Sequence, residues 1–108
     1  MEVKGKIDRP LGTWHQVYKD LYYPINYGYV EGVLGGDGEE QDIYLLGEDK
    51  PVKEFSGIVV AVIHRLNDVE DKWVVDTKKR MYSEEEIRRK LEFQEKYFDS
   101  EIFVWNEA

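Results

Sequence analysis

The run Ile58-Val59-Val60-Ala61-Val62-Ile63 constrains this chain more than any other stretch. Six apolar residues follow one another, and five of them are β-branched. Such side chains are stiff about their first torsion and suit a pleated sheet better than a helix. The run is also too short for a buried helix, and Ser56-Gly57 and His64-Arg65 bound it. Neither of its faces is polar, so it reads as a central strand covered on both sides.

Other segments read as partners for that strand. Over residues 2–7, Val3, Gly5 and Ile7 alternate with Lys4 and Lys6, which predicts a first strand. Asp8-Arg9-Pro10-Leu11-Gly12 predicts a turn. Residues 13–22 show no clean period and read as a long loop with aromatic packing. Further strands are expected over 27–34, 41–47 and 72–75, with a last short one over 102–105. Ser83 followed by Glu86 is a capping box at the start of a helix. Ile87, Leu91 and Phe98 then share one stripe, with Phe93 and Tyr97 roughly 100° away, and Asp99 and Ser100 end the helix. Short strands, turns and one late helix predict a mainly β (α+β) chain, a small β-barrel with a packed C-terminal helix. The pattern lacks the strand–helix alternation of a parallel α/β sheet.

The chain of 108 residues reads as a single domain over 1–108, and it has no cysteine, which fits a reducing compartment. Its start, Met-Glu-Val-Lys-Gly-Lys, has no apolar leader, and no apolar run approaches a membrane span. A cytoplasmic protein with no membrane partner is expected. The net charge of −8 argues against a nucleic-acid binder, which would carry a basic stripe. Exposed strand edges in so small a domain make a homo-oligomer an expectation as well.

One stretch carries chemistry: Tyr23-Pro24-Ile25-Asn26-Tyr27-Gly28-Tyr29-Val30 running into Asp37-Gly38-Glu39-Glu40-Gln41-Asp42. Asp37, Glu39 and Asp42 lie close together, and Gly35, Gly36 and Gly38 give the backbone room to bend them toward one point. Hard divalent cations such as Mg2+ take one or two carboxylates together with phosphate oxygens and water. The plainer reading of the same residues is an Asp-Gly hairpin turn with solvated acids. A second acidic group, Asp68 and Asp71, precedes Lys72.

Tyr-Pro-x-Asn-Tyr-Gly-Tyr followed, after a short gap, by Asp-Gly-x-x-x-Asp resembles the soluble inorganic pyrophosphatases. Both the residue types and the tyrosine-to-acid spacing match. The resemblance covers most of the chain and implies a five-stranded OB-like β-barrel that hydrolyses inorganic diphosphate to two phosphates with Mg2+. It implies metal ligands at Asp37, Asp42, Asp68 and Asp71, and Glu39 acting on the attacking water where the family has an aspartate. It implies substrate contacts from Lys4, Tyr27, Lys72 and Tyr97, with Arg9, His15 or Lys19 as a substitute for the family's arginine. There are departures. Lys6 replaces a glutamate, Phe98 stands where a phosphate-binding lysine is expected, and the arginine before the tyrosine motif has no direct match. The alternative is a pyrophosphatase-like domain without catalysis, or with another phosphate compound or a protein partner as its ligand.

Overall fold

The computed structural model describes residues 2–36, 38–66 and 70–105. Six strands and one helix follow in the order β1 (Glu2–Arg9), β2 (Asn26–Leu34), β3 (Glu40–Leu46), β4 (Glu54–Arg65), β5 (Asp71–Asp76), α1 (Glu84–Glu95) and β6 (Ser100–Val104). Five strands close a barrel, β1-β2-β3-β5-β4, because β4 also pairs with β1. The β3–β5 pair is parallel and every other strand pair is antiparallel. β6 extends the sheet beyond the second half of β4.

The period of two along the strands sorts their side chains into two apolar clusters. Ile7, Val30, Ile43, Leu45, Phe55, Val59 and Val75 come from all five barrel strands and fill its inside. Their neighbours Tyr44, Leu46 and Val74 point outward and are covered by Ile87 and Leu91 of α1. The central run is wholly within β4, but β4 is twice as long as its apolar part. Its first half alternates exposed Glu54 and Ser56 with buried Phe55 and Gly57, and pairs with β1. A register shift between Val59 and Ala61 then redirects the strand toward β5 and β6.

Two glycines let β1 and β2 meet. A Cβ on Gly5 would lie 1.9 Å from the Tyr29 carbonyl oxygen, and one on Gly28 would lie 2.0 Å from that of Lys6. No side chain fits at either position.

Two further elements differ from the sequence reading, beside the early start of β4 at Glu54. Asp8 and Arg9 belong to β1 rather than to a turn, and the register shifts between Ile7 and Arg9. The helix stops at Glu95 with Lys96 as its C-cap, so Tyr97 and Phe98 do not continue its stripes. Their amides bond to the Gln94 and Glu95 carbonyls in tight turns that lead directly into β6. The capping box forms as expected, with Ser83 and Glu86 exchanging hydrogen bonds. Among the described residues no helix is long and apolar enough to cross a membrane.

Candidate functional site

The tyrosine motif does two kinds of work. Asn26 is fully buried and ties two loops to the start of β2: its Oδ1 accepts from the amides of Leu11 (2.9 Å) and Val52 (3.2 Å), and its Nδ2 donates to the Lys50 carbonyl (3.0 Å). The Tyr23 hydroxyl accepts from Arg9 (2.8 Å) and donates to Gln94 Oε1 (2.8 Å). From there a buried chain of bonds runs on. Gln94 Nε2 donates to the Tyr44 hydroxyl, which donates to Glu95, and Glu95 holds Arg65 at 2.6 Å. Those residues anchor α1 to the barrel. Tyr27, itself buried, is the member of the motif that borders a concave space on the barrel.

That space is a cavity of about 620 Å³ at the outer, helix-side face of the barrel. Arg9 of β1, Tyr27 of β2, Asp42 of β3 and Lys72 of β5 form its floor, because all four project from the same side of neighbouring strands. The bulge at Asp8 brings both Asp8 and Arg9 to the lining. Lys72 is 3% exposed. Its Nζ donates to Asp42 Oδ2 at 2.6 Å and to Glu70 Oε1 at 2.8 Å. Burial alone would drive its pKa down, but Tyr27, Asp42 and Glu70 more than offset this and hold it above the usual lysine value, so the ammonium is fully charged. Burial raises the Tyr27 pKa, so its phenol keeps its proton near neutral pH and is a donor. Burial also pushes the Asp8 carboxyl up, with Arg9 pulling the other way.

Glu70 is the residue that sequence reasoning missed. Asp71 adjoins Lys72, yet adjacent strand residues point to opposite faces. Asp71 turns away from the cavity, and its Oδ1 lies 2.7 Å from His64 Nδ1. Glu70, two before Lys72, reaches the same ammonium as Asp42. The period of two counted back from Lys72 is the signal that marks it.

The remaining expected residues divide. Arg9, Tyr27, Asp42, Lys72 and Tyr97 line this cavity. Lys4 is an exposed residue of β1 and Glu39 an exposed residue before β3, and neither is part of the lining. Asp37 and Asp68 lie outside the described residues. Phe98 lines the cavity with the Arg65 guanidinium 3.6 Å above its ring, so the position expected for a lysine is held by a cation–π contact. His15 organises the loop over 13–22: its Nδ1 accepts from the amides of Val17 and Tyr18, both at 3.0 Å. Among the described residues no three acids or histidines gather tightly enough to hold a metal by themselves.

Compared by sequence, the chain matches no family profile and no curated protein. Compared by structure, it superimposes on an inorganic pyrophosphatase from Ehrlichia chaffeensis with a TM-score of 0.72, at 16% identity over 95% of this chain and 85% of that one. The chain has the fold of the inorganic pyrophosphatases. An inorganic pyrophosphatase from Coxiella burnetii matches at TM-score 0.65 and 14% identity, over 98% of this chain and 86% of that one. The inorganic pyrophosphatase from Helicobacter pylori matches at 0.64 and 18%, over 97% and 82%. The pyrophosphatase fold therefore extends over nearly all of this chain, at identities that speak to the backbone alone.

Proposed function

We propose that this chain hydrolyses inorganic diphosphate to two phosphates with magnesium, using the cavity floored by Arg9, Tyr27, Asp42 and Lys72. The observation that carries the reading is the triad Asp42–Lys72–Glu70, in which one buried ammonium bridges two carboxylates at a cavity that also holds an arginine. Asp8, Asp20, Asp42 and Glu70 outnumber the cavity's Arg9, Arg65 and Lys72. An anionic substrate entering there needs further positive charge.

The donors suit magnesium. Asp42 and Glu70 offer hard oxygens, and this ion takes one or two carboxylates and completes its shell with water and phosphate. When bound, magnesium would neutralise diphosphate charge and acidify a water. Asp42 and Glu70 would hold it. Lys72 and Arg9 would hold phosphate oxygens, and Tyr27 would donate its phenolic proton to one of them. The family resemblance alone supports Glu39 as the base, Asp37 and Asp68 as further ligands, and Lys4 as a phosphate contact. Tyr97 would close the cavity from the side of α1.

A second reading rests on the Arg65 arrangement. That guanidinium is committed to Glu95 and stacked on Phe98, where the family would present a lysine. The phosphate-clamping set is thinner as a result, which favours a weaker hydrolase or one with another phosphate compound as substrate. The test is phosphate release from diphosphate with and without magnesium, beside calorimetric titration of magnesium. Release that needs magnesium and falls about 10–100-fold in Asp42→Asn supports hydrolysis. Magnesium binding without release supports the second reading.

A further inference from the structure

The cavity is far larger than inorganic diphosphate requires. Its volume of about 620 Å³ falls within the roughly 300–1,000 Å³ of sites that enclose drug-sized molecules, whereas diphosphate has about nine heavy atoms. The excess volume has a distinct lining. The charged floor lies at the strands, while the outer wall is built from rings: His15 and Tyr18 of the loop over 13–22, and Tyr97 and Phe98 after α1. Tyr18 is 66% exposed and Tyr97 64% exposed, although both line a concave site. Tyr18 rests one side on the His15 ring at 5.0 Å, and Tyr97 has the Lys96 ammonium 5.3 Å from its ring centre. Both remain largely open to solvent at the mouth of a charged cavity, a surface on which a flat ring can stack.

We propose that this cavity also accepts a nucleoside diphosphate, and prefers it to inorganic diphosphate, with its phosphates on the Arg9–Lys72 floor and its base against the ring of Tyr18. The phosphate half of this proposal rests on the function proposed above; the base half rests on the size and aromatic wall of the cavity. In the reaction, the oxygen of a water bonds to the terminal phosphorus and the bridging P–O bond breaks. The bridging oxygen leaves on the nucleoside monophosphate; one of the water's two protons stays on the free phosphate and the other passes to solvent. No oxidant or further co-reactant is needed.

Tyr18 separates the two halves because its side chain touches the wall and not the floor. Calorimetry on the full chain with magnesium present would compare ADP with inorganic diphosphate, in the wild type and in Tyr18→Ala and Tyr18→Phe. The expected result is ADP binding about tenfold tighter than diphosphate, as one stacked base provides. Tyr18→Ala should remove that margin and leave diphosphate affinity unchanged, while Tyr18→Phe, which keeps the ring, should retain it. Equal affinities in the wild type, or a margin that survives Tyr18→Ala, would overturn the proposal. A ring-dependent margin without phosphate release from either compound would support the base site and overturn the hydrolysis reading instead.

Discussion

Asp42 and Asp76 are the same chemical group on the same outward face of the barrel, at opposite ends of the adjacent strands β3 and β5. Asp76 is fully buried and saturated. It accepts from the Arg80 amide (2.7 Å) and the Tyr82 hydroxyl (3.1 Å), and the Arg80 guanidinium lies at 3.4 Å. It is enclosed by the turn that leads to α1, and no face of it is left for a ligand. Asp42 is half-buried, shares Lys72 with Glu70, and borders a cavity. The contrast teaches that a buried carboxylate is not by itself a sign of chemistry. What distinguishes the candidate site is a carboxylate beside open volume, with a shared cation that a ligand can compete for. The Glu95–Arg65 pair belongs with Asp76: both partners are buried, and both are committed to holding α1.

The comparison can be broken by substitution. The largest loss of stability is expected from Glu95→Ala, which strands the buried Arg65 guanidinium and should cost about 3–5 kcal/mol in urea unfolding. Asp42→Asn should lower magnesium-dependent turnover by about 10–100-fold, the equivalent of one charge-assisted contact. It should shift the unfolding midpoint far less than Glu95→Ala does. Asp76→Ala should do the reverse, costing about 2 kcal/mol of stability from lost hydrogen bonds while ligand binding at the distant cavity persists. If Asp76→Ala instead abolished binding with the fold intact, the division between the two ends would be wrong.

The pH dependence sharpens the same point. Burial and then Asp76 raise the Tyr82 phenol from its usual 10 to about 12. The folded state therefore keeps a proton that the unfolded chain gives up first. Its contribution to stability is full below about pH 10 and is lost as pH rises toward about 12. Urea midpoints across this window should fall less steeply in Tyr82→Phe than in the wild type. The smallest effect is expected at the exposed helix start, where Ser83→Ala should cost about 1 kcal/mol through loss of the cap and leave both acidic ends unchanged.

Much of the fold was legible because it rests on local patterns. The β-branched run marked β4, alternation with a glycine at position 5 marked β1, and Ser83 with Glu86 marked the start of α1. The first half of β4 was not seen, because its buried places are held by one Phe and one Gly, which leave little apolar signal. The helix end was misplaced because Phe98 fits a helical stripe by period, while its position is set by Arg65 stacking on its ring. Tyr27 and Asp42, singled out by the motif, and Lys72, singled out by the resemblance, line one cavity. Glu70 was missed because adjacency to Lys72 drew attention to Asp71, while the alternation of the strand assigns the cavity face to the residue before it.

That exchange of Glu70 for Asp71 is the most direct test of the account. Phosphate release from diphosphate with magnesium would be measured for Glu70→Gln and Asp71→Asn beside the wild type. The account predicts that Glu70→Gln loses about 10–100-fold and that Asp71→Asn stays within about threefold, since its carboxylate faces His64 and not the cavity. Full activity in Glu70→Gln with loss in Asp71→Asn would contradict it.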